Sequence, residues 1–246
     1  MILRALCLIV LAAAVAPPQS SPPDLGYRLD TSWPQLPDGW NFKEIPAVEV
    51  DTANHAYVFH RGEHTITEFD PAGKVVRAWG DGLFERPHSL RFDAEGDIWV
   101  LDDSGCTVLK MDRKGRIRMV LGRWRTTGET DSLFNRPTDV AFAPSGDIYV
   151  TDGYGNSRVV KYSKDGKFIT AWGKKGAGQS EFVIPHAVAV DKQGRVYIGD
   201  RENRRIQIFD SNGKFLREWK HVGSPWGLYL TPDQSCTCAM AITDAF

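Results

Sequence analysis

Pro137-Thr138-Asp139-Val140-Ala141, then Asp147-Ile148-Tyr149-Val150-Thr151-Asp152 and Gly153-Tyr154-Gly155-Asn156-Ser157-Arg158, is the stretch that reveals the fold. A proline opens a short apolar strand, Gly146 marks a turn, and a second apolar strand closes on an aspartate. The same anchor stands at Pro46-Ala47-Val48, Pro87-His88-Ser89-Leu90, Pro185-His186-Ala187-Val188 and Pro225-Trp226-Gly227-Leu228, at spacings of 41, 50, 48 and 40 residues. The second strand recurs as Asp97-Ile98-Trp99-Val100-Leu101-Asp102 and as Val196-Tyr197-Ile198-Gly199-Asp200. Two more short apolar runs follow in each full unit, as in Thr107-Val108-Leu109-Lys110-Met111 and Ile117-Arg118-Met119-Val120-Leu121.

Glycines recur between these runs, at Gly96, Gly146 and Gly194 in one turn and at Gly73, Gly115, Gly166 and Gly213 in the next. Glycine accepts the positive φ that tight hairpins demand. Four strands in every 40–50 residues, with no helical period anywhere, define a β-propeller blade. The expectation is an all-β chain with about four complete blades and the start of a fifth, out of an expected six. Trp79, Trp172 and Trp219 close the outer strands and read as packing. Asp102, Asp152 and Asp200, like Asn156-Ser157-Arg158 and Asn203-Arg204-Arg205, repeat at one blade position and read as scaffold.

Residues 1–16 carry Arg4, a short apolar run and the ending Ala14-Val15-Ala16, the pattern of a secretory signal peptide. Pro17-Pro18 stop the run well before the roughly 20 residues a membrane span needs. Residues 17–32 read as a Pro/Ser-rich linker and residues 33–246 as the propeller, so the protein is expected to be secreted, with no stable membrane span once the signal is cleaved. Beyond Cys7, three cysteines remain and give no disulfide framework. The whole chain is 42% hydrophobic, and its 30 basic against 31 acidic residues leave a net charge of −1. That balance lacks the basic footprint of a nucleic-acid binder.

The residue after the anchoring proline is Ala47, His88, Thr138, His186 and Trp226 in successive units, so histidine occupies the second and the fourth. The first strand of a blade lines the central channel, and alternate blades of a six-bladed ring stand about 120° apart. Imidazoles gathered there would form an open zinc site. Either histidine alone reads as a buried ring on a backbone carbonyl; the matched placement two blades apart favours a metal. His55, His60, His64 and His221 lack such pairing and are expected on the surface or in turns.

Phe59-His60-Arg61-Gly62, Pro87-His88-Ser89-Leu90, Arg136-Pro137-Thr138-Asp139-Val140-Ala141, Asp152-Gly153-Tyr154-Gly155-Asn156-Ser157-Arg158, Pro185-His186 and Asp200-Arg201-Glu202-Asn203 together resemble the peptidyl-α-hydroxyglycine α-amidating lyase (peptidylamidoglycolate lyase) family, propellers of the NHL-repeat type. The resemblance implies cleavage of a peptide ending in α-hydroxyglycine into a peptide amide and glyoxylate. It implies a catalytic zinc on three histidines, two of them matching His88 and His186. It implies a structural calcium on backbone carbonyls matching Val48 and Leu90, a base matching Tyr154, and active-site arginines matching Arg61 and Arg201. A guanidinium and a divalent metal near a tyrosine favour its phenolate, and an arginine can hold a carboxylate bidentately. Disulfides of animal members fall on positions matching Asn135 with Gly155 and Tyr197 with Ile208, where this chain has no cysteine.

After Thr231-Pro232-Asp233 the repeat is expected to break off, so that the remainder of the fifth blade, the sixth blade and the third zinc histidine are missing and the chain alone has little lyase activity. Cys236 and Cys238 form too small a group to mark a metal site. An unclosed ring exposes strand edges, so self-association through residues 47–79 and 226–231 is expected. Two other functions compete with the lyase: a non-catalytic NHL-repeat scaffold for protein binding, and a calcium-dependent hydrolase of the lactonase kind, which would use channel carboxylates instead of Pro-His pairs.

Overall fold

The computed structural model describes residues 28–231 and 233–241, and the export signal expected at 1–16 lies outside them, as does most of the linker. Four complete antiparallel blades follow one another. Blade one is β1 (Ala47–Val50), β2 (Ala56–Phe59), β3 (Ile66–Phe69) and β4 (Val75–Trp79). Blade two is β5 (Pro87–Phe92), β6 (Ile98–Asp102), β7 (Thr107–Met111) and β8 (Ile117–Gly122). Blade three is β9 (Asp139–Phe142), β10 (Ile148–Asp152), β11 (Arg158–Tyr162) and β12 (Phe168–Trp172). Blade four is β13 (Pro185–Val190), β14 (Val196–Asp200), β15 (Arg205–Phe209) and β16 (Phe215–Lys220). First strands of neighbouring blades touch, and the middle strands β2, β6, β10 and β14 are buried on both faces.

The fifth unit holds more than the sequence suggested. Cys236–Ala241 forms β18, paired antiparallel with β17 (Ser224–Leu230). Cys236 and Cys238 alternate on one face of β18 and pack with Leu228 and Leu230 against blade four. Burial raises both thiols, Cys238 to about 11, so they serve as apolar packing and stay protonated.

The core is a series of layers between blades. Tyr57, Phe59 and Ile66 meet Leu90, Ile98 and Val100 between blades one and two. Trp99, Leu101 and Phe134 meet Val140, Val150 and Tyr162 between two and three, and Tyr149 and Phe182 meet Val188, Ile198 and Phe209 between three and four. Each fully buried large side chain contributes about 1.5–3 kcal/mol. The outer face of blade one is covered by Trp33, Leu36 and Phe42 against Ala56, Val58 and Phe69. Val48, Val50 and Val76 of the same blade stay about half exposed, at 50%, 53% and 49%.

The tryptophans pack as expected. Trp79 lies on Gly115 and Trp172 on Gly213, turn glycines of the following blades with φ of 79° and 84°. A Cβ there would come within 3.1 Å and 2.5 Å of the indole, so the glycine answers both to the turn and to the neighbouring blade.

The strand-closing aspartates are structural. Asp102 accepts the Arg86 and Gly105 amides (2.9 and 2.8 Å), Asp152 the Asn135 amide (2.8 Å) and Asp200 the Val183 amide (2.7 Å). Each pins the loop that delivers an anchoring proline. Arg158 and Arg205 bond Asp152 and Asp200 at 3.0 and 2.8 Å and reach carbonyls of the same loops. The position pairs that the resemblance matches to disulfides are neighbours here: Gly155 N–H donates to Asn135 O (2.9 Å), and Tyr197 faces Ile208 across the ladder.

Asp152→Ala leaves the Arg158 guanidinium buried without its carboxylate. It is expected to cost about 3–5 kcal/mol in urea unfolding; a loss under about 1 kcal/mol would contradict the role given to the pair. Acid should also unfold the protein. Burial alone would raise Glu68, Asp93 and Asp191, but hydrogen bonds from His55 and Arg77, from Lys110 and Trp99, and from Arg195 with its turn amide hold the three below their ordinary values. A depressed folded pKa gives stability that is complete above the unfolded carboxylate range and is lost as pH falls through the folded values. Thermal unfolding should therefore show a melting temperature that declines on acidification through and below that range; a flat profile would count against it.

Candidate functional site

His88 and His186 enter the site through the same backbone irregularity. Pro87 pairs with Asp102 and Ser89 with Leu101, which leaves His88 as the extra residue of a β-bulge; Pro185 with Asp200 and Ala187 with Gly199 do the same for His186. A bulge re-aims the side chain it carries. Both rings are largely buried, 8% and 6% exposed, and their centroids lie 5.0 Å apart.

Each imidazole is oriented by a carbonyl of the following blade. His88 Nδ1 is 2.7 Å from Thr138 O, and His186 Nδ1 is 2.8 Å from Trp226 O. A carbonyl only accepts, so both Nδ1 atoms carry the proton and both Nε2 atoms present lone pairs. Burial lowers both pKa values, His186 to about 4, so the rings are neutral near pH 7. The bland reading of a histidine on a backbone carbonyl and the metal reading thus both apply, to different nitrogens of the same ring.

Both lone pairs meet at Tyr154 Oη, 3.1 Å from His88 Nε2 and 3.0 Å from His186 Nε2. The hydroxyl has one proton and can donate to one of them only. Two neutral imidazoles and a phenol oxygen converging with a single proton are a donor set that a zinc ion suits. Among the described residues no group of three or more His, Cys, Asp or Glu side chains gathers as a metal site; His88 and His186 offer two imidazole lone pairs.

Arg201 stacks on this centre, with its guanidinium carbon 5.5 Å from the Tyr154 ring centroid and 4.4 Å from that of Trp226, while Nε donates to Glu202 (2.9 Å). Arg61 approaches from blade one but sends its hydrogen bonds to Pro87 O (3.3 Å) and Glu44 (3.1 Å). His88, His186, Tyr154 and Arg201 thus form one constellation, with Arg61 beside it. Two further residues were missed by sequence reasoning. Arg136 lies 4.9 Å over the Tyr154 ring with φ of 59°, and the fully buried Asp103 stands 3.7 Å from Arg136 and bonds Arg86. The signal was present: arginine precedes the anchoring proline in blades two and three.

Two expected positions have partners that the sequence did not show. His60 lies at the expected turn but is buried, 2% exposed, with Nδ1 accepting the Gly62 amide (3.1 Å) and Nε2 against Thr67 Oγ1 (3.2 Å), so it braces the turn from inside. Leu90 O, a carbonyl that the resemblance assigns to calcium, accepts Arg91 Nη1 at 3.3 Å, and Val48 lines the same cleft as Arg91 and Glu49. A guanidinium at that carbonyl competes with a divalent cation for the same oxygen.

A family model described as a 6-bladed beta-propeller matches residues 127–234. The chain is 36% identical over 213 residues to peptidyl-glycine alpha-amidating monooxygenase of Mus musculus, covering 73% of this chain and 22% of that protein. It is 31% identical over 231 residues to peptidyl-alpha-hydroxyglycine alpha-amidating lyase 1 of Drosophila melanogaster (78% and 42%) and 34% identical over 226 residues to NHL repeat-containing protein 3 of Homo sapiens (84% and 64%). A streptogramin B lyase structure superposes with a TM-score of 0.62 at 17% identity, covering 78% of this chain and 60% of that one, a likeness of fold alone. The chain is a β-propeller. Its homologues include the peptidyl-α-hydroxyglycine α-amidating lyases and NHL repeat proteins, and it spans about a fifth of the length of the amidating monooxygenase.

Proposed function

We propose that this propeller serves a secreted, zinc-dependent lyase that cleaves peptidyl-α-hydroxyglycine into a peptide amide and glyoxylate. The observation that carries the reading is the convergence of two Nε2 lone pairs, fixed by backbone carbonyls, on Tyr154 Oη. His88 and His186 would hold the metal, which when bound supplies a Lewis acid for the substrate hydroxyl. Arg201, its Nε committed to Glu202, offers its terminal nitrogens to the substrate carboxylate. Tyr154, acting as its phenolate, would take the substrate's hydroxyl proton and so become the neutral phenol. The carbon–oxygen bond becomes a carbonyl as the carbon–nitrogen bond breaks, and a proton returned to the amide nitrogen completes the balance. Arg136 and Arg201 place their guanidinium carbons 4.9 and 5.5 Å from the Tyr154 ring centroid, beside the group that handles the proton. The substrate binds through its terminal residue, so no particular peptide is specified.

The purified chain is expected to take up about one zinc per molecule, with affinity falling more than about 100-fold in His88→Ala or His186→Ala. Glyoxylate release from an α-hydroxyglycine peptide is expected to be slow, since two imidazoles converge among the described residues, and about 10²–10⁴-fold slower again in Tyr154→Phe. Zinc affinity indifferent to both histidines, or release unaffected by Tyr154, would contradict the proposal.

A second reading is a non-catalytic scaffold for protein binding. It is favoured by the lack of a third ligand among the described residues and by the similarity to NHL repeat-containing protein 3. A protein that binds no zinc and releases no glyoxylate would support it. In either reading we propose self-association through the strands around residues 47–79 and 226–231, where Val48, Val50 and Tyr229 are 50%, 53% and 58% exposed. Sedimentation should show a concentration-dependent dimer; a monomer at every concentration would refute it.

A further inference from the structure

Arg91 is a charged residue on a first strand, and its guanidinium links separate four-stranded sheets. Nη2 bonds Asp139 Oδ2 on β9 at 2.9 Å, Nη1 lies 3.5 Å from Glu49 Oε2 on β1, and Nη1 also donates to Leu90 O at 3.3 Å. Asp139 carries the link onward. Its Oδ1 accepts Ser89 Oγ (2.6 Å) and the Val140 amide (2.9 Å), and its Oδ2 accepts the Val188 amide on β13 (3.2 Å). One guanidinium and one carboxylate thereby connect the first strands of four consecutive blades. The Asp139 side chain is 5% exposed and those of Arg91 and Glu49 27% and 24%, so the group is shielded from solvent more than a surface ion pair.

A positive charge held among two carboxylates and a strand carbonyl is the bonding pattern a hard divalent cation would use with oxygen ligands. We propose that Arg91 is an internal cation that takes the place of a structural metal, tying four first strands together so that the propeller needs no calcium there. The guanidinium suits this task because it is always charged and its planar fork serves several oxygens at once. Removing the side chain would leave Glu49, Asp139 and the Leu90 carbonyl around an uncompensated negative centre, open to a cation from solution.

Thermal unfolding of the whole chain tests this without reference to activity. The melting temperature of the unaltered protein is expected to be the same in millimolar calcium and in a calcium chelator. Arg91→Met is expected to melt several degrees lower in chelator and to recover at least half of that loss in calcium. Arg91→Lys, which keeps the charge but not the fork, should melt between the two and ignore calcium, and it carries the test if Arg91→Met does not fold. The proposal is overturned if calcium stabilises the unaltered protein, if Arg91→Met melts no lower, if its loss is indifferent to calcium, or if Arg91→Lys responds to calcium.

Discussion

The hydrogen bond from His88 Nδ1 to Thr138 O, and its counterpart from His186 Nδ1 to Trp226 O, fix what the centre of the molecule can do. Each joins a bulged residue on one blade to the equivalent residue on the next. The bond sets the tautomer, and the tautomer decides that the inward nitrogen is a lone pair and not a donor. The channel is therefore lined by alternating blades with different tasks: blades two and four present imidazoles, while blades three and five present the carbonyls that aim them.

That division of labour depends on the blades holding their relative positions. The apolar layers between blades supply most of the energy but are non-directional. Directional control comes from polar links at two radii. Near the axis, Arg91 and Asp139 connect first strands. Further out, Asp102, Asp152 and Asp200 pin the loops that deliver the anchoring prolines. Because the His88–Thr138 contact spans blades two and three, their relative position sets its length directly. Tyr154 rides on the same loop system, since its amide donates to Arg136 O.

Much of this was legible in the chain. The proline anchors, turn glycines and closing aspartates repeat because every blade solves the same packing problem, and repetition is what sequence displays best. The pairing of His88 with His186 could be read for the same reason. What escaped was whatever belongs to a single blade or depends on three-dimensional register. The bulges at Pro87 and Pro185 cannot be counted from sequence, because an extra residue is defined by the partner strand. Arg91 follows Leu90 in apolar–polar alternation and so reads as solvent-facing, although its partners lie on other blades. His60 sits in a histidine- and glycine-rich turn that gives no hint of burial under Phe42. β18 lacks the Val/Tyr-rich pattern of its counterparts, yet pairs with β17 because its two cysteines supply enough apolar surface on one face.

X-ray absorption at the zinc edge of the metal-loaded protein addresses the central claim most directly. The account predicts imidazole scattering from two histidines at about 2.0–2.1 Å, diminished by one ring in His88→Ala and by the other in His186→Ala. An all-oxygen shell, or imidazole scattering that survives both substitutions, would contradict the convergence of these two blades on a common ion.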